Sequence, residues 1–323
     1  MPQQSNAYAV GRVSVLLRER LDAAGRERLL SASSLQDALR ALQDMGFSDQ
    51  AEDYEHAASV HVRKAYAFVR EVSPDPRITD CFLIRFDIHN LKMLLKARCL
   101  SQMAQHLSPS GLYPIEQLRH AVEERRYAFL PQAIRQAMEA LESRLAVHED
   151  PLDIDVSLDK AMFQWIADSM LKIAEPCVKA YFAAKADIQC AIMLLRVMRM
   201  GKGSAYFRQF LLPGGTIGEE EWIDAFEQPQ RLPTLLSRYG VKVVAAVRSA
   251  VEGSSLPAVE KAMDDYLLNL YTNDRKNPES IEPLIAYLLL REREAAAIRL
   301  ILAGKANGFT PEAVRERLRE MYA

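Results

Sequence analysis

Glycine and proline are scarce in this chain, at 13 and 15 of 323 residues. Together they make about 9%, against a usual total of about 12%. That shortage argues against collagen-like, low-complexity and turn-rich all-β chains. Cysteine is also scarce. Cys81, Cys99, Cys177 and Cys190 contain no C-x-x-C pair. Four thiols in a chain of this length make no disulfide framework, so free thiols are expected. Long apolar runs are missing as well. The longest, Leu284 to Leu290, has seven residues, whereas a membrane-spanning helix needs about 20. No sign of charge dominates: 41 Lys and Arg stand against 43 Asp and Glu, a net charge of −2. Such a balance excludes the global field of a nucleic-acid binder. The segment Met1 to Val10 is polar and lacks the regions of a signal peptide, which points to the cytoplasm.

Catalytic signatures are missing too. There is no G-x-x-x-x-G-K-[ST], no H-E-x-x-H and no G-x-S-x-G. Gly201-Lys202-Gly203-Ser204 imitates a phosphate loop, but no strand precedes it, so it reads as a helix-end turn. Asp264-Asp265 followed by Asn269 resembles part of the magnesium-holding acid cluster of all-helical prenyl-transferring enzymes, without the full spacing or a second cluster. His56 and His61 are five apart, off the i, i+4 spacing of helical metal ligands, and read as surface or half-buried side chains. No cofactor or metal is expected.

What the chain does contain is helical periodicity. Val10, Val13, Leu16, Leu17 and Leu21 give one stripe. Leu35, Ala38, Leu39 and Leu42 give another, opened by Ser33 or Ser34 and stopped by Gly46. Further helices are expected over about 49–72, 78–100, 115–125, 131–148, 155–174, 177–200, 219–226, 233–239, 256–271, 281–302 and 311–322. Ser73-Pro74-Asp75-Pro76, Pro109 to Pro114, Asp150-Pro151 and Pro213-Gly214-Gly215 lie between them as breaks. Only Val241 to Val247 is ambiguous, and Ala245 and Ala246 tilt it towards helix. The fold class is all-α.

A repeat runs through these helices. Phe86-Asp87-Ile88-His89-Asn90-Leu91-Lys92-Met93-Leu94-Leu95-Lys96 matches Ala186-Asp187-Ile188-Gln189-Cys190-Ala191-Ile192-Met193-Leu194-Leu195-Arg196 further along. A weaker third copy, around Glu294-Ala295-Ala296-Ala297-Ile298-Arg299, follows after a nearly equal interval. The first two copies lead into proline–glycine turns, at Pro109-Ser110-Gly111 and Pro213-Gly214-Gly215. Upstream acids repeat as well, Asp159 before Asp187 and Asp265 before Glu294. An acid at the start of a helix and bases at its end would suit the helix dipole. A buried carboxylate in such an apolar stretch would need a partner. Length alone suggests about two domains. A repeat near one third of the chain instead suggests three related helical-bundle units, 1–112, 113–218 and 219–323. Three copies of one acidic position favour a shared framework role over catalysis.

At these residues the chain resembles the C subunit of the prokaryotic V/A-type ATPase and ATP synthase, a relative of the d subunit of eukaryotic V-ATPases. The resemblance runs over essentially the whole length. Tyr8-Ala9-Val10-Gly11-Arg12-Val13, Phe86 to Lys92, Leu211 to Ile217 and Tyr287 to Glu294 with Ile298 to Ile301 carry it, through their order and spacing. Cys190 and Ala297 depart from it, standing where the family often has Asn. The hydrogen bond made by Asn90 is therefore expected to be absent from the second and third copies.

The resemblance implies a pseudo-threefold, funnel-shaped, all-helical body. It implies a central-stalk (rotor) subunit between the central shaft of the ATPase head and the membrane proteolipid ring. Such a protein carries torque during ion or proton transport, is not an enzyme, and lies peripherally on the inner membrane face. The main alternative is an unrelated helical-repeat adaptor binding peptides in a solenoid groove. A third reading, from a different class, is a helical enzyme with metal-held substrate. On the main reading Asp87, Asn90, Asp187 and Glu294 form the repeated structural motif. The bases that follow them, Lys96, Arg98, Arg196, Arg199, Arg299 and Lys305, are expected to ring one mouth of the funnel as a partner interface. Gly214 and Gly215 are a second candidate contact.

Overall fold

Ser34 caps the helix that follows it, its side chain accepting from the Asp37 amide, and Gly46 stops the same helix in a left-handed conformation with φ of 78°. Asp150 does the same for its helix by accepting from the Leu152 amide, with Pro151 at the first helical position, where its missing N–H costs nothing. The computed structural model describes residues 5–17, 20–47, 54–271 and 277–318. Among them every regular element is helical: α1 Asn6–Leu16, α2 Ala23–Ser31, α3 Leu35–Asp44, α4 Tyr54–Val72, α5 Pro76–Cys99, α6 Ile115–Glu124, α7 Gln132–Leu145, α8 Pro151–Met170, α9 Pro176–Arg199, α10 Ser204–Phe207, α11 Glu219–Glu227, α12 Leu232–Leu235, α13 Val241–Val251, α14 Leu256–Asn269, α15 Glu282–Ala306 and α16 Pro311–Arg317. Single 3-10 turns lie at Arg208–Phe210, Pro229–Arg231 and Ser237–Tyr239.

The all-α expectation holds, and several boundaries move. The first stripe is not one helix: α1 ends at Leu16, and Leu21 is buried from the loop beyond it. Short α2 and α10 had no assignment in the sequence. The helix expected from residue 155 begins at Pro151, because Asp150 is a cap rather than a break. The ambiguous 241–247 segment is the start of α13. Residues 49–53 of the expected 49–72 helix, and 319–322 of the expected 311–322 helix, lie outside the described residues.

The chain forms two compact units, residues 77–267 and residues 1–76 together with 268–323. The second of them joins the two ends of the sequence. In that end-joined unit α15 is the central helix. It packs most extensively on α4, and also on α1, α2, α3 and α16. The longest apolar run, Leu284 to Leu290, is buried on every side within it. A helix apolar all round needs cover all round, and here other helices supply it. No helix among the described residues is long and apolar enough to cross a membrane. In the 77–267 unit α7 pairs with α8, and α8 with α9. Phe82 of α5 meets Tyr181 and Phe182 of α9 with ring centroids 5.2 and 4.8 Å apart.

Candidate functional site

The three repeated acids are buried, with Asp87 and Glu294 at 0% exposure and Asp187 at 1%. They lie in the middle of α5, α9 and α15, not at helix starts. The dipole argument therefore does not account for them. A carboxylate removed from water needs several donors to replace its hydration, and each of the three takes at least one backbone amide from a loop.

Asp87 accepts from the Leu112 amide at 2.7 Å and the Tyr113 amide at 3.2 Å. One helical turn on, the Asn90 side chain clamps Ser108 from both sides. It donates to the Ser108 carbonyl at 2.8 Å and accepts from the Ser108 amide at 2.7 Å. Both ends of the 108–113 loop are thus tied to one helix face. Gly111 is where they come closest: a Cβ built there would lie 2.1 Å from Asp87 Oδ1.

Asp187 repeats the device with more donors. It accepts from the Thr216 amide at 2.9 Å, the Thr216 hydroxyl at 2.6 Å, the Tyr239 hydroxyl at 2.5 Å and the Ile217 amide at 3.4 Å. Burial and the bond to Asp187 both push the Tyr239 phenol up from its ordinary range. Gly214 turns the loop with φ of 84°, as a proline–diglycine turn requires. Gly215 has the packing role of Gly111, with a built Cβ 2.2 Å from Asp187 Oδ1. At the position of Asn90, the Cys190 sulfur accepts from the Leu212 amide at 3.3 Å. The expected loss of the Asn bond is therefore half right in this copy: the donor is gone, but sulfur keeps the acceptor role. Burial pushes the Cys190 thiol up to about 12, and the nearby charge of Asp187 works in the same direction.

Glu294 is served differently. It accepts from the Leu21 amide at 2.8 Å, from Arg291 at 2.8 Å and bonds His61 Nε2 at 2.8 Å. Arg291, 4% exposed, also donates to the Leu16 carbonyl at 2.7 Å. Burial alone would raise the Glu294 carboxyl. The bond to His61 and the charge of Arg291 outweigh it and hold the group below its ordinary value.

A second regularity follows the acids. Ser101, Gly201 and Gly308, each at the same spacing past its acid, take left-handed φ values of 51°, 64° and 70°. The next amide bonds five residues back in each case: Gln102 to Ala97, Lys202 to Val197 and Phe309 to Gly304, at 2.8, 3.2 and 2.8 Å. These are three Schellman ends at one register. The Gly201-Lys202-Gly203-Ser204 segment is one of them, so it is a helix end.

The six bases follow the acids along these helices, and each has a partner within the chain. Lys96 donates to both Asp155 oxygens at 2.7 Å, beside a Lys92–Asp159 pair at 2.7 Å. Arg98 grips Glu142 through two bonds of 2.9 and 2.8 Å and donates to the Val122 carbonyl at 2.6 Å; Tyr127 donates to the same carboxylate. Arg196 pairs with Glu260 at 2.6 Å, and Arg199 donates to the Ser254 carbonyl. Lys305 donates to the carbonyls of Leu30 and Ala32, at 2.9 and 2.6 Å. Arg299 is half-buried on α15. The sequence pattern missed Tyr239, His61, Arg291 and Leu21. Gly111 and Gly215, at similar spacings past their acids, were its one signal for the turns. Among the described residues no group of three or more His, Cys, Asp or Glu could hold a metal ion. The Asp264-Asp265 pair, with Asp265 buried, belongs to no such group.

The sequence matches the ATP synthase (C/AC39) subunit family over residues 9–317. It is 24% identical to the C subunit of the V-type sodium ATPase of Enterococcus hirae, covering 84% of this chain and 83% of that protein. It is 21% identical to the C subunit of the A-type ATP synthase of Methanocaldococcus jannaschii, covering 97% and 86%. With the corresponding protein of Thermococcus kodakarensis it shares 22% identity over 98% and 90%. By a match that spans nearly all of its length, with the acid motif, the glycine turns and the apolar C-terminal helix inside it, the chain belongs to the ATP synthase (C/AC39) subunit family.

Proposed function

We propose that this chain is the non-catalytic central-stalk subunit of a V/A-type rotary ATPase, joining the shaft of the soluble head to the proteolipid ring in the membrane. The family match over residues 9–317 carries this reading. The buried acids support it as well. Each is consumed in fixing a loop to a long helix, which suits a stiff coupling element. The absence of a membrane-spanning helix among the described residues suits peripheral attachment.

For the partner contacts we look to the ends of the long helices, where the six bases and the turn at Gly214 and Gly215 were the candidates. Internal pairing takes up much of the basic charge there. Arg196 and Arg199 both stay exposed, Arg196 paired with Glu260 and Arg199 on the neutral Ser254 carbonyl. What those ends offer besides is apolar: Leu100, Met103, Met200 and Phe309 are 61, 84, 56 and 54% exposed. On the 77–267 unit the contact is therefore drawn as Leu100, Met103 and Met200 edged by exposed bases, the usual make-up of an interface core and rim. Crosslinking mass spectrometry of the membrane fraction tests the assignment. Links from this chain to shaft and proteolipid subunits are expected, and links to neither would overturn it. Leu100→Glu and Met200→Glu should weaken co-purification with those subunits while leaving the melting temperature of the isolated chain unchanged.

A further inference from the structure

We infer that Glu294, Arg291 and His61 form a clasp between the two ends of the chain, and that the end-joined unit opens there while the 77–267 unit stays closed. The first two acids hold loops that follow them closely in sequence. Asp87 takes amides 25 and 26 residues on, and Asp187 takes amides 29 and 30 residues on. Glu294 takes the amide of Leu21, 273 residues back. The role that residues 108–113 play for α5 is thus played for α15 by the segment around residue 21.

The bases that follow the first and third acids keep one register: Arg98 stands as far past Asp87 as Lys305 stands past Glu294. Arg98 donates to the Val122 carbonyl in the last turn of α6. Lys305 donates to the Leu30 and Ala32 carbonyls at the end of α2. So α2 stands to α15 as α6 stands to α5. The third copy of the repeat is completed by the beginning of the chain.

Closure by sequence neighbours and closure by chain ends differ in cost. A loop of about 25 residues closes with little entropy loss, whereas the separation of Leu21 from Glu294 closes with more. The ionic character of the third site fits that burden. It adds a buried arginine and a histidine to the carboxylate, where Asp187 takes amides and hydroxyls. It also makes the site vulnerable, because removing one member leaves a buried charge without its partner. Outside the clasp, the contacts drawing residues 20–47 to the C-terminal helices include one exposed pair, Arg315 with Glu27 at 2.8 Å. With the clasp broken, residues 20–47 and 282–306 should separate as one cooperative element.

Amide hydrogen exchange on the full chain tests this. In Glu294→Gln and Arg291→Met, exchange over residues 20–32 and 282–306 should rise at least tenfold, with peptides inside 77–267 unchanged. In Asp187→Asn the pattern should reverse. Exchange that rises equally in both units, or in neither, overturns the inference. If Glu294→Gln does not fold, the unaltered chain still decides it. Under native conditions residues 20–32 should open at lower denaturant than residues 108–118, the matching segment of the first copy, and the opposite order would refute the clasp.

Discussion

Gly215→Ala tests the central reasoning, because the added methyl reaches the buried acid directly. A Cβ at residue 215 would sit 2.2 Å from Asp187 Oδ1 and 3.0 Å from its Cγ. The carboxylate must then retreat by about 1 Å or more to reach van der Waals distance. Oδ1 holds the Ile217 amide at 3.4 Å, a bond with no slack, and Oδ2 holds Thr216 and Tyr239. Hydrogen bonds to a charged group contribute about 1.5–3 kcal/mol each, so losing one or two costs about 2–5 kcal/mol. Asp187→Ala should cost a similar ~2–5 kcal/mol, since it strands the buried donors of Ile217 and Tyr239.

The two changes should not add. With the carboxylate gone, the methyl at 215 has nothing to strike, so the double variant should be about as stable as Asp187→Ala alone. The coupling energy then equals the whole cost of Gly215→Ala, about 2–5 kcal/mol, at or above the top of the range of about 0.5–3 kcal/mol usual for residues in contact. Urea unfolding followed by tryptophan fluorescence suits the measurement. Both tryptophans, Trp165 and Trp222, lie in the 77–267 unit with Asp187. A shifted midpoint at constant m-value reports stability. Additive costs, or a Gly215→Ala variant within 0.5 kcal/mol of the parent (about the spread of neutral surface changes), would refute the argument.

Three further outcomes follow from the same sites. Glu294 is held below its ordinary carboxyl value, so it contributes stability above the unfolded pKa that is lost as pH falls through the lower folded value; unfolding of the end-joined unit should ease with acidification below about pH 4.5, and Glu294→Gln should flatten that dependence. Cys190, with its thiol pushed up to about 12, should resist alkylation at pH 8 in the native chain and react only after unfolding, as mass spectrometry of labelled peptides would show. Arg98→Met removes two bonds from the Glu142 carboxylate and leaves it Tyr127 and the exposed Arg125 at 3.4 Å, so it should cost about 1.5–3 kcal/mol in urea unfolding, whereas Arg196→Met, at a half-exposed pair, should cost under about 1 kcal/mol.

The helices were legible in the sequence because their signals are local. Apolar spacing, a serine or aspartate cap and a proline at the first helical position each act within a few residues. The repetition of Asp87, Asp187 and Glu294 was legible for a different reason: one residue pattern written three times carries its own control. The start of α8 was misread because Asp-Pro serves equally as a break and as a cap with its first helical residue, and only the path of the preceding chain decides which. The internal partners of the bases were hidden, since Lys96 meets Asp155 and Arg98 meets Glu142 across helices that periodicity orients but does not pair.

By itself, then, the sequence determined the all-helical class, the order of most elements, the repeated acid and the two glycine turns that follow it, all set by interactions between near neighbours. The tertiary structure alone decided that those mid-helix acids hold loops, that cysteine serves as an acceptor at the asparagine position, and that Glu294 closes on Leu21. That last bond spans 273 residues. No local preference encodes it, because it forms only when packing of the helices around α15 brings the two ends of the chain together.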